Sequence, residues 1–263
     1  MSSLALITIV ILLLGLSGFW WLLFRNRAAS TQEVFPESWR TYLQDHVRFY
    51  QQLIENEKSQ FEDRILQFLG RVKITGIGID LSVQDRLLVA SSGVIPVFHF
   101  PHWQRYPNLD EVLVYPNSFR EEDYATEGDD RSVLGMVGWG PMNRKMILSL
   151  PSLRQGFSQE GRTNTGIHEF IHLIDKADGA TDGIPEYFLQ KQYVLPWMKL
   201  IYREMAAIRD GHSDIPPYGA TNETEFFAVA ATYFFQQPKQ FKDAHPELYE
   251  LMELIFLPNT PTR

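Results

Sequence analysis

HEFIH, residues 168 to 172 within NTGIHEFIHLIDKA (164–177), decides how the rest of the chain is read. On a helix, Ile167, Phe170, Ile171 and Ile174 share one face, the spacing of an apolar stripe packed into a core. His168, His172 and Asp175 stand at i, i+4 and i+7 on the opposite face. Histidines four residues apart are one turn apart, so both imidazoles can reach one ion, about 2.0–2.1 Å from each nitrogen for zinc. Glu169 is turned by about 100°. That is too far round for an easy third ligand, but it suits a general base acting on water in the same site. The competing reading is three polar residues that share a solvated helix face.

A catalytic zinc site requires a third protein ligand and an open position. Two candidates stand downstream. Asp178 lies six residues after His172, but Asp175 occupies the +3 position where a glycine would let the chain turn back. Glu225 lies in YGATNETEFFAVAATYFF (218–235), in the first turn of a helix if Asn222 caps it, with Phe226, Val229, Ala230 and Tyr233 giving apolar contacts. Its competing role is a capping-box partner of Asn222. Tyr218 precedes Glu225 by seven residues. A phenol near the metal donates to the oxyanion that develops as water attacks, and a loop aromatic packed on its neighbours is the alternative. Asp175 suits a hydrogen bond that orients a ligand histidine or the chain beyond the helix.

Composition bounds the rest. The chain has 263 residues, 44% of them hydrophobic and 21% charged, which supports a substantial core. Its net charge of −8 argues against a general nucleic-acid binder, which needs a basic face. With no cysteine, any metal is held by His, Asp or Glu, and no disulfide contributes.

Leu4 to Phe24 (LALITIVILLLGLSGFWWLLF) carries no charge and, at about 1.5 Å per residue, spans a ~30 Å hydrocarbon core. Trp20 and Trp21 suit an interfacial belt, and Arg25 and Arg27 follow with no Lys or Arg before the span. The positive-inside rule then gives a single-pass protein of the cytoplasmic (inner) membrane with its main domain facing the cytoplasm. A cleaved secretion signal is disfavoured by the missing basic start and the length of the run. The organisation expected is an anchor at 1–27, a polar linker at 28–36 and one domain at 37–263.

Within that domain, helical spacing recurs from Trp39 to Val72, and Val83 to His99 reads as a buried helix that Pro96 ends early. Leu109 to Tyr115 is a strand candidate. Val133 to Gly138 and Lys145 to Leu150, separated by GWGPMNR, read as a hairpin. Lys145 to Leu150 would accept an extended peptide if it formed a sheet edge, and it suits an interior strand equally. REEDYATEGDDR (120–131) reads as a solvated loop, and LPNTPTR (257–263) as a frayed tail. Helices are expected near 164–177, 190–210 and 223–236. A few strands followed mostly by helices give an α+β class, mainly helical with a small sheet. His99 and His102 read as loop histidines, His212 and His245 as surface residues.

HEFIHLIDKADGATDGIP followed by YGATNETEFFAVAATYFF resembles the zinc peptidases typified by Mlc titration factor A. FHFPHWQRYPNLDEVLVYPNSF (98–119) and the helical segment from Trp39 are similar to the same family, so the resemblance covers roughly residues 36 to 240. It implies a zincin-like metallopeptidase domain similar to the catalytic domain of anthrax lethal factor. By that resemblance His168, His172 and Glu225 hold one Zn2+ per chain, Glu169 is the general base and Tyr218 the transition-state donor. It also implies aminopeptidase-type activity on small peptides and, in some members, binding of the repressor Mlc. The N-terminal apolar segment departs from the soluble character of the best-known member. The alternative function is a membrane-tethered regulatory protein that sequesters a transcriptional repressor, its zinc site structural or vestigial.

Overall fold

The computed structural model describes residues 34–119, 134–138, 140–158 and 163–258. The apolar segment Leu4 to Phe24, the acidic stretch 120–131 and the last five residues lie outside them. No helix among the described residues is long and apolar enough to cross a membrane. Contacts divide the chain into two units, Met1–Phe35 and Pro36–Arg263, and the helices and strands among the described residues belong to the second.

The fold is α+β and mainly helical. Helices α1 (Glu37–His46), α2 (Arg48–Gln51) and α3 (Glu55–Arg71) lead into strand β1 (Lys73–Gly76), then helix α4 (Val83–Val94) and strand β2 (Glu111–Tyr115). Strands β3 (Gly135–Val137) and β4 (Lys145–Ser149) precede helices α5 (Leu150–Gly156), α6 (Thr165–Asp175) and α7 (Lys191–Arg209). Helices α8 (Glu223–Gln236), α9 (Pro238–Ala244) and α10 (Pro246–Phe256) complete the described chain.

The sheet is mixed, with strand order β1-β2-β4-β3. β1, β2 and β4 run parallel, while β3 and β4 form the expected antiparallel hairpin. Lys145 to Ser149 is therefore an interior strand, while β3 and β1 hold the two sheet edges. Side chains alternate across the sheet as pleating requires. Val112, Val114, Met146 and Leu148 are fully buried on one face, while Leu113 and Ile147 pack on the other with Phe119.

α4 begins with a capping box: Asp85 N–H donates to Ser82 Oγ, and Ser82 N–H donates back to Asp85 Oδ2. It crosses α6 at close quarters. A Cβ placed on Gly166 of α6 would lie 2.2 Å from Ser92 Oγ, so the crossing requires glycine there. α8 is apolar on all sides, buried from Phe226 through Phe235, and so serves as the central helix. This places the N-terminal turn of α8 beside the middle of α6.

Candidate metal centre

Asn164 starts α6. Its side-chain oxygen accepts from Ile167 N–H at 3.0 Å, and its amide donates to the Gly156 carbonyl at 2.9 Å. Ile167, Phe170, Ile171, Leu173 and Ile174 are at most 1% exposed, so the apolar stripe is driven inward. The histidines are thereby turned toward α8. Asn222 caps α8 by accepting from Glu225 N–H at 2.9 Å, and the Glu225 side chain points to the histidines.

The three side chains converge. His168 Nε2 lies 3.0 Å from His172 Nε2 and 3.1 Å from Glu225 Oε2, and the third edge, His172 Nε2 to Glu225 Oε2, is 3.5 Å. Ligand atoms about 2.0–2.1 Å from one zinc at tetrahedral angles stand ~3.3 Å apart, so this triangle has the size the ion needs. Its hydrogen bonding is incomplete without a cation. If His172 donates to His168 Nε2, that nitrogen has no proton left for the carboxylate it also faces. Among the described residues this is the one group of three such side chains with ligand atoms within 4.8 Å of one another.

Burial opposes ionisation of Glu225, but the two imidazoles beside it hold its carboxyl well below the usual carboxylate range. Burial likewise opposes protonation of His172, and the Glu225 hydrogen bond with the Glu169 charge raises it overall. Glu169 is 5% exposed, and burial pushes its carboxyl up toward the neutral form.

The triad opens into a cleft of about 710 Å³ that is also lined by Glu169, Tyr218, Gly135 and Val137. Tyr218 sits in a 3-10 turn, Pro217–Ala220, with its ring 5.9 Å from that of His168. One strand edge borders the cleft as well. Ser149 N–H bonds the Leu134 carbonyl and Gly138 N–H the Lys145 carbonyl, so in antiparallel alternation the backbone groups of Gly135 and Val137 face away from β4.

Other sequence candidates fall elsewhere. Asp178 Oδ1 accepts from Ala180 N–H and Oδ2 from Glu186 N–H, which commits it to the loop after α6. Asp175 is fully buried and accepts from Gly183 N–H at 3.1 Å, while the Gly183 carbonyl accepts from the Trp197 indole at 2.8 Å. It therefore fastens the chain beyond the helix. His245, read above as a surface residue, instead bridges Glu204 and Asp214 at 3.2 and 2.7 Å. Sequence reasoning passed over Gly135 and Val137, because neither carries a functional side chain.

Two histidines one turn apart, a carboxylate from a second helix and an open cleft together define a metal-dependent hydrolase type of site. The chain belongs to the family of glucose-regulated metallo-peptidases M90, which it matches over residues 21–257. An uncharacterised protein of Synechocystis is 28% identical over 94% of this chain and 95% of its own length. The Mlc titration factor A proteins of Escherichia coli (strain SMS-3-5) and Enterobacter sp. (strain 638) are 27% and 28% identical. Those matches cover 75% and 73% of this chain, and 78% and 74% of theirs.

Proposed function

We propose that the chain is a zinc-dependent peptidase in which His168, His172 and Glu225 hold the ion. The observation that carries this reading is the three-atom triangle opening into the cleft that holds Glu169 and Tyr218. Zinc, when bound, polarises the scissile carbonyl and makes water a better nucleophile. Glu169 takes a proton from the attacking water and delivers it to the leaving amine nitrogen. Its burial favours carrying that proton between the two steps. The Tyr218 hydroxyl donates to the oxygen on which charge develops.

The substrate is a peptide lying extended along the outer edge of β3, bonded to the backbone groups of Gly135 and Val137. Aminopeptidase-type cleavage is the preference carried over from the family resemblance. Leu4 to Phe24, followed by Arg25 and Arg27, supports a single-pass anchor in the cytoplasmic membrane, with the peptidase domain on the cytoplasmic side. Glu169→Gln tests the mechanism. Peptide hydrolysis is expected to disappear while bound metal is retained, and wild-type turnover would overturn the role of Glu169.

A second reading takes its support from the relatives called Mlc titration factor A: a membrane-tethered protein that binds a repressor, with zinc in a structural role. Glu169→Gln separates the two, because a sequestering protein keeps its partner when the base is lost.

A further inference from the structure

Gly135 stands on the edge strand directly opposite Glu169. A Cβ built there would lie 2.7 Å from Glu169 Cγ, 2.7 Å from Glu169 Oε1 and 2.7 Å from Thr165 Cγ2. Non-bonded carbons ordinarily rest ~3.5 Å or more apart, so one methyl group would displace its neighbours by several tenths of an ångström. The backbone of Gly135 does not itself demand glycine, since its φ lies outside the left-handed region. Space alone demands it.

The strand has little freedom to retreat. Hydrogen bonds of 2.8 Å on either side, Ser149 N–H to the Leu134 carbonyl and Gly138 N–H to the Lys145 carbonyl, fasten it to β4. Glu169, in turn, is buried on a helix whose opposite face is packed into the core. With the strand held, the side chains must give way, and turning Glu169 about its own torsions to clear Cγ carries its carboxylate with it. We propose that Gly135 is a positioning residue for Glu169: its missing side chain lets the edge strand close against the carboxylate and set where that carboxylate stands in the cleft. This rests on the reading of Glu169 as the base. A base works within hydrogen-bond reach of the proton it takes, about 2.6–3.2 Å, and misplacement by an ångström costs on the order of 100-fold in rate.

A double-mutant cycle on the full-length, metal-loaded chain tests the proposal. Gly135→Ala is expected to lower kcat about 10- to 100-fold with bound metal unchanged. A Glu169→Ala background removes both the Cγ and the carboxylate that the added methyl would meet, so there the same substitution should do less harm to folding. Thermal midpoints provide a readout independent of turnover: Gly135→Ala should lower the midpoint in the parent and lower it less beside Glu169→Ala. If Gly135→Ala folds poorly alone, recovery of folding in the double variant supports the proposal in the same way. Equal effects in both backgrounds, or full rescue by Thr165→Ser instead, would overturn it. A parent that cleaves no peptide sinks the peptidase reading, and the midpoints then still decide whether Gly135 and Glu169 compete for the same space.

Discussion

His168 Nε2 lies 3.1 Å from Glu225 Oε2, on a residue 57 positions later in the chain. The contact joins the middle of one buried helix to the first turn of another, with His172 Nε2 3.0 Å away. Three acceptor-capable atoms at such spacing are satisfied together by a cation. Metal should therefore bind the folded chain far better than the unfolded one, and at 100 times its dissociation constant contribute about 2.7 kcal/mol. Chelation should lower the thermal midpoint and zinc restore it. A midpoint indifferent to both would contradict the triad's role.

Tyr218 is 56% exposed, and its ring approaches the His168 ring without being buried. Tyr218→Phe keeps the ring and removes the donor, so metal content should be preserved. Loss of one oxyanion donor costs about 100- to 1,000-fold in kcat. Steady-state kinetics on a peptide substrate checks this, and a rate within about twofold of the parent would remove Tyr218 from the mechanism.

His245 ties α10 to the rest of the fold through Glu204 on α7 and through Asp214, which also accepts from the Tyr233 hydroxyl at 2.7 Å. The Glu204 hydrogen bond, opposed by burial and assisted by Asp214, raises the histidine above its ordinary value. The charged form is thus favoured by folding. Its stabilisation is complete below the unfolded value of about 6.5 and is lost as pH rises through the raised folded value. Urea midpoints measured upward from pH 6 should fall across that window. His245→Gln should flatten the fall, and a parallel decline in the variant would assign it to other groups.

Gly166→Ala should destabilise the chain by about 1–3 kcal/mol, the usual cost of overpacking a filled interior. The added methyl meets the Ser92 side chain where α4 crosses α6. Denaturant unfolding measures this directly, and Ser92→Gly beside it should recover part of the loss. An unchanged midpoint would show that the two helices separate freely.

The helix bearing HEFIH was legible because motif and amphipathic period agree, and its buried face matches the stripe read from the sequence. α8 was legible from its cap and its apolar run. The two sites on different helices could be joined only through family resemblance, since nothing local makes Glu225 meet His168. β1 escaped notice because KITG is four residues long with no sustained alternation, and its partner, β2, lies 38 positions along. α5, α9 and α10 carry a readable signal in the proline at the first turn of each, which apolar periodicity alone does not capture. The Gly135–Glu169 approach and the His245 bridges join residues more than 30 positions apart, so only the folded chain displays them.

The most direct measurement is zinc per chain, by elemental mass spectrometry, for the full-length parent and for Glu225→Ala purified alongside. About one zinc in the parent is expected, with a sharp loss in the variant while both remain folded. A folded parent without zinc, or a variant that keeps the parent's full content, would contradict the three-ligand site and the peptidase built on it.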